Sequence, residues 1–426
     1  MTRAATSRLS TRWPCSPWPP RPPQSPRSRR SHRSHRPLWS TQAQQLLQLL
    51  AAALLTLLPP LAAAEQVVGV FAPLSGPHAL IGQSMRNGVV LALEQAEDSG
   101  RFGDVRLSIR ALDDTGTPKA VAERVARFVR DELAILVIGP ALSTHAEAVA
   151  DLANHAQFPL LAPGASEGIT AAGKWSFRLS MSPYKTLHAL ANHALAASGN
   201  PSGQRLAVVH AKGNAGFAAQ AAEFRAAAVR DGAQVVADVA ADIGTDFVNQ
   251  AATTVRDARA GLVFFAMDAE PGAALAQAIT SRASTALAQR PAFAFAPAAA
   301  QPALARIGGA AVEGAFTAAD YLPEARTEAN TRFRTAYQAR FGIEAEVWAG
   351  IGYAAGQLAA EAIRNAGPSP NPATVRLALE RVNQVELVIG GGPWQQDATR
   401  NPSYAPNIYV MREGRLVNRK SGTDHD

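Results

Sequence analysis

The sequence predicts an α/β protein of two lobes, each a parallel-rich sheet flanked by helices. Three observations carry this. Short strands alternate with helical patterns along most of the 426 residues. Several of those strands are unbroken apolar runs, as strands covered on both faces of a parallel sheet must be. The 362 residues after position 64 are too many for one ordinary core, so two domains are expected.

Residues 1–64 read as a leader. They hold nine arginines (Arg3, Arg8, Arg12, Arg21, Arg27, Arg29, Arg30, Arg33, Arg36) and no acid. Residues 1–37 carry eight prolines and too little apolar surface to fold. An apolar run from Leu46 to Leu58 comes next, broken only by Gln48 and Thr56, and Ala62-Ala63-Ala64 closes it. A basic stretch, a short apolar core and small residues make a secretory signal, with cleavage near Ala64. The core is shorter than the ~20 residues that span a bilayer. An interfacial helix is the plain alternative.

Removing the leader changes the chain's character. The full net charge of +7 becomes about −2, because nine of the 41 basic residues go and all 34 acids stay. Nothing then argues for a nucleic-acid partner. The single cysteine, Cys15, lies in the leader, so the remaining chain has no disulfide, thiol nucleophile or lipid-attachment cysteine. A freely soluble periplasmic protein is expected.

After the leader, Val67–Phe71 is a short strand, and Met85, Val89, Ala92 and Ala96 recur at helical spacing. Val105–Leu112 alternates like a strand. Thr117-Pro118 opens a helix as N-cap and first residue, with Val121, Val125, Phe128 and Val129 on its apolar face. Leu133–Ile138 is wholly apolar. Further strands are expected at 158–162, 205–210, 234–238, 261–267 and 292–296. Helices are expected at 143–156, 216–231, 247–258, 271–283, 326–341, 348–366 and 371–382.

Ligands of parallel α/β sheets bind at the carboxyl ends of strands, near helix N-termini. Two turns fit. Gly139-Pro140-Ala141-Leu142-Ser143-Thr144 comes after one strand, and Thr144 with Glu147 has capping-box spacing. Free N–H groups and a hydroxyl there suit a carboxylate, although an ordinary helix cap gives the same spacing. Pro163-Gly164-Ala165-Ser166-Glu167-Gly168 comes after the next strand. It also matches G-x-S-x-G, the nucleophile elbow of α/β hydrolases, which needs a helix straight after the serine and then an acid and a histidine. Residues 169–174 read poorly as helix, and the later histidines leave little room for the acid. Gly350-x-Gly352-x-x-Ala355 mimics a dinucleotide fingerprint but has no strand before it, and close helix packing accounts for it better. No metal or cofactor motif is present.

The order of these segments resembles the type I periplasmic binding proteins, which include the leucine/isoleucine/valine-binding proteins of ABC importers. The resemblance rests on Val68–Pro77 with Gly82 and Gly88–Ala92, on Asp113-Asp114 with Pro118-Lys119-Ala120, and on Ile138-Gly139-Pro140 with Ser143. It continues through Pro159–Ser166, Gly352–Ala355, and Val388-Ile389-Gly390 with Trp394 and Asp397. It implies two lobes joined by a three-crossing hinge: lobe 1 from 65–181 and 317–405, lobe 2 from 182–316 and 406–426. Ligand would be trapped between them by hinge closure.

By this resemblance Ser143 and Ser166, with neighbouring N–H groups at Thr144 and Ala165, hold a ligand carboxylate. The Gly164 carbonyl helps hold an ammonium, and Ile81 lies alongside. In lobe 2, Phe217 stands where the family usually has a Tyr-Gly pair. Pro297-Ala298-Ala299-Ala300 offers no acid for the ammonium. Asp268 or Glu270 could substitute, or both are exposed helix-start acids favoured by the helix dipole. An amino-acid-like ligand, a short carboxylate or an amide is therefore expected. It would be captured without catalysis and delivered to a membrane permease. A sensor without transport, and a hydrolase using Ser166, are the alternatives.

Overall fold

The computed structural model describes residues 65–198, 203–244, 246–281 and 290–418. The expected leader, with its cut near Ala64, lies outside them. The first sheet runs in the order β2-β1-β3-β4-β5, all parallel. Its strands are β1 (Gln66–Ala72), β2 (Leu107–Asp113), β3 (Leu136–Ile138), β4 (Leu160–Ala162) and β5 (Ser176–Arg178). Successive side chains of a strand point to opposite faces, and the cores obey that rule. Val68, Val70, Leu136, Ile138 and Leu161 enter one core; Phe71, Val137, Leu160 and Ala162 enter another.

Helices α1 (Ala79–Asp98), α2 (Pro118–Glu132), α3 (Ser143–Ala156) and the short α4 (Glu167–Ala171) connect these strands. Helix α2 starts as its sequence dictates, with the Thr117 hydroxyl accepting the Ala120 N–H at 3.3 Å and Pro118 in the first turn. It buries Val121, Val125 and Phe128, one helical face. It ends at Leu133, which is left-handed (φ 52°) and 80% exposed. The apolar run that began there in the sequence therefore enters the sheet only at Leu136.

The chain then crosses to the second sheet. Helix α5 (Pro183–Ala197) packs in its core through Leu187, Leu190 and Leu195. The strands are β6 (Arg205–Ala211), β7 (Gln234–Ala241), β8 (Leu262–Ala266), β9 (Ala292–Phe295), β10 (Phe316–Ala318), β11 (Ile408–Arg412) and β12 (Arg415–Asn418). Their order is β12-β11-β10-β9-β8-β6-β7, parallel from β7 to β10, with β11 and β12 antiparallel. Helices α6 (Ala215–Arg230), α7 (Phe247–Asp257), α8 (Ala269–Ser281) and α9 (Pro302–Gly308) connect them. All five residues of β8 are buried, which is why Leu-Val-Phe-Phe-Ala shows no alternation.

From β10 the chain returns to the first lobe as α10 (Glu328–Phe341), α11 (Val347–Asn365) and α12 (Pro372–Arg381), then crosses a third time into β11. The expected border between residues 316 and 317 falls inside β10. Thr317 pairs with Phe295 and with Tyr409, in the second sheet.

Helices α1 and α11 meet at backbone contact. A Cβ on Gly88 would stand 2.2 Å from the Ala349 carbonyl oxygen, and one on Gly352 would stand 2.1 Å from that of Met85. The glycine spacing near 350–355 is thus a packing stripe.

The three crossings are tied by polar groups. The Trp394 indole N–H donates to the Leu179 carbonyl at 3.0 Å, and the Met181 N–H donates to the Tyr404 hydroxyl at 3.0 Å. The Asp320 carboxyl accepts from the Ser180 and Tyr404 hydroxyls. Burial raises the Asp320 pKa against those bonds and the nearby Arg178 charge.

Candidate functional site

Both turns singled out in the sequence stand at the carboxyl end of the first sheet. After β3, Gly139 takes φ +100°, and a Cβ there would stand 2.0 Å from the Phe71 carbonyl oxygen. Only glycine lets the chain leave the strand so close to β1. Helix α3 then begins at Ser143 with Leu142 at the N-cap and no side-chain cap. Thr144 and Glu147 therefore form no capping box, contrary to their spacing. Ser143 and Thr144 are exposed in the first turn, where N–H groups lack helical partners.

The second turn faces the first. A Cβ on Gly164 would lie 3.6 Å from the Ser143 Oγ, so this position packs against that hydroxyl. The Ala165 carbonyl accepts from the Arg178 guanidinium at 2.6 Å, which fixes the turn to β5. Ser166 caps α4, its Oγ accepting the Gly168 N–H at 3.3 Å and donating to Glu147 Oε1. A helix does come directly after Ser166, although it is five residues long and the sequence read poorly there. Among the described residues no imidazole hydrogen-bonds the Ser166 hydroxyl.

Arg178 is 1% exposed, and its other amino group donates to Asn401 Oδ1 at 2.8 Å. Burial lowers its pKa, opposed by the charges of Glu167, Tyr404, Asp397 and Asp320. Asp113 ends β2 and Asp114 follows it, and the two carboxyls stand in contrasting states. Burial pushes Asp113 up, but hydrogen bonds from Ser75, Thr115 and Leu74 outweigh it and hold the carboxyl below its usual range. Asp114 is fully buried, and its pKa rises to about 7 through burial and the Asp113 charge, opposed by the Ala141 N–H and Arg124. His145, in the first turn of α3, is also buried; burial lowers its pKa, a hydrogen bond to the Gly116 backbone opposes this, and Arg124 lowers it further.

The structure brings Ser143, Thr144, Gly164, Ala165 and Ser166 together. Ile81, half-buried, lies in the first turn of α1, beyond the carboxyl end of β1. Phe217 and Asp268 belong to the other lobe. Phe217 is 8% exposed in the first turn of α6, its N–H held by Asn214 Oδ1 at 3.0 Å. Asp268 is exposed after β8, and its backbone carbonyl accepts the Gly272 N–H. No hydrogen bond or ion pair among the described residues joins either to the first-lobe turns. Glu270 faces Arg306 at 3.8 Å, both highly exposed. Glu147 and Arg178 are the residues that sequence reasoning missed here. The Glu147 contact reaches from α3 to the Ser166 turn 19 residues on, which no local spacing signals, and Arg178 sits in a three-residue strand without an apolar run.

Among the described residues no helix is long and apolar enough to cross a membrane, and no group of three or more His, Cys, Asp or Glu is placed to hold a metal ion.

Residues 65–412 match the family model described as periplasmic binding protein. A Leu/Ile/Val-binding protein homologue from Brucella melitensis is 25% identical over 360 residues, 83% of this chain and 93% of that protein. An ABC transporter substrate-binding protein from Desulfitobacterium hafniense, solved in complex with Leu, matches with a TM-score of 0.65 at 19% identity, covering 83% of this chain and 99% of that one. A solute-binding protein of an R. palustris ABC transporter, solved with benzoate, matches with a TM-score of 0.64 at 19% identity, covering 84% and 96%.

Proposed function

The chain belongs to the periplasmic binding protein family, and on that footing we propose that it is the solute-binding component of an ABC importer. It captures a small amino-acid-like or carboxylate ligand between its lobes and passes it to a membrane permease, without catalysis. The leader is cut near Ala64, and the protein works in the periplasm, free of a lipid anchor.

The observation that carries the ligand class is the meeting of two turns. Ser143, in the first turn of α3 with no side-chain cap, packs across from Gly164. Unpaired N–H groups and a neutral hydroxyl hold a carboxylate without a buried cation. The matched proteins solved with Leu and with benzoate support both an amino-acid and an amine-free carboxylate as candidates.

Thermal melting of the full chain against leucine, isoleucine, benzoate, 4-hydroxybenzoate and short amides tests this. A ligand at 100 times its Kd stabilises by ~2.7 kcal/mol. No stabilisation by any of them, together with ester turnover that Ser166→Ala abolishes, would overturn the proposal in favour of a hydrolase.

A further inference from the structure

A serine hydroxyl has one proton and two lone pairs. In Ser166 the proton goes to Glu147 Oε1, and one lone pair takes the Gly168 N–H. What remains is a single lone pair, which can accept but not donate. Contrary to the carboxylate role that the resemblance implies for Ser166, a ligand carboxylate gains nothing from such an atom, whereas an N–H or O–H group does. Glu147 sharpens the choice. Its carboxylate is half-buried in the second turn of α3. Among the described residues no Lys, Arg or His forms an ion pair with it. Gly168 leaves it room, because a Cβ there would stand 2.9 Å from Oε1. A half-buried carboxylate without a cation favours a positively charged neighbour.

We infer that Glu147 is a specificity-determining residue: by taking the Ser166 proton and adding its own charge, it makes this side of the site accept an ammonium or similar donor group. The ligand then spans two unlike ends. Its carboxylate lies toward Ser143 and Thr144, and its cationic or donor group lies toward Ser166 and Glu147. This deepens the proposed function and rests on it.

Calorimetric titration of the full chain with two matched pairs tests it: leucine against 4-methylpentanoate, and 4-(aminomethyl)benzoate against 4-methylbenzoate. The members of each pair differ by an ammonium group. Wild type prefers the ammonium member in whichever pair binds. Glu147→Gln keeps an oxygen to accept the Ser166 proton but loses the charge. It lowers the preference by about ten- to hundredfold, the range of a charge-assisted hydrogen bond. Glu147→Ala also frees the Ser166 proton, and it strengthens binding of the amine-free member. Because each ratio compares two ligands on one protein, a general loss of folding cancels. An unchanged ratio in Glu147→Gln, or a wild-type preference for the amine-free acid, overturns the inference alone. Failure of wild type to bind any of the four overturns the proposed ligand class and this inference with it.

Discussion

The Tyr404 hydroxyl accepts the Met181 backbone N–H at 3.0 Å, and so ties the third crossing between the lobes to the first. Its own proton goes to Asp320 on the second crossing. Burial and the Asp320 charge both raise the Tyr404 pKa, so the phenol stays neutral and keeps donating. Tyr404→Phe strands a buried N–H and removes a donor from a buried carboxylate. The expected loss is ~1–3 kcal/mol. Urea unfolding measures it, and a midpoint equal to wild type at equal slope would show that Tyr404 does not tie the crossings.

Asp114 gives the protein a pH-dependent stability. Its folded pKa, about 7, lies above the reference value of 3.8. The folded chain therefore binds the extra proton between those values. This contribution is fully present below the unfolded pKa and is lost as pH rises through about 7; ionising the group inside the fold costs at most about 4 kcal/mol. Asp113 has the opposite sign, since its lowered pKa makes stability fall only in acid. Asp114→Asn is expected to be more stable than wild type at pH 8, with the advantage shrinking toward pH 5. Parallel pH profiles of the two proteins in chemical unfolding would contradict this.

Ser143→Ala removes a hydroxyl from the open first turn of α3. Binding of a carboxylate ligand is expected to weaken by ~1–3 kcal/mol. Ser166→Ala is expected to weaken the ammonium-bearing member of each matched pair more than the amine-free one. Calorimetry showing unchanged affinity in both variants would dismiss these turns as the site.

Gly352→Ala tests the packing of α1 on α11. The added carbon would meet the Met85 carbonyl oxygen at 2.1 Å, and backbone cannot swing aside as a side-chain tip can. A loss of about 1–3 kcal/mol or more is expected, as for other overpacked cores. A melting temperature within error of wild type would show that the helices separate freely.

What the sequence discloses here tracks burial. Strands covered on both faces, such as Leu262–Ala266, declare themselves as apolar runs. β5 and β10 are three residues each and contain Arg178 and Thr317, so neither makes a run. β11 and β12 form a closing hairpin that breaks the strand–helix alternation. Helix α5 is passed over despite a readable start, Ser182 as N-cap and Pro183 in the first turn. Of the site, the meeting of the Ser143 and Gly164 turns was legible, because adjacent parallel strands bring their carboxyl ends together. The Ser166–Glu147 bond was not. It joins side chains of two different helices, and the helix expected at 143–156 gives the element that carries Glu147 but not its partner across the turns.

Capture between the lobes requires them to close on a small molecule. Small-angle X-ray scattering of the full chain addresses it, with and without saturating amounts of whichever tested compound most raises the melting temperature. Closure about the three crossings predicts a smaller radius of gyration in the saturated protein. Saturable binding with an unchanged radius would contradict capture between the lobes.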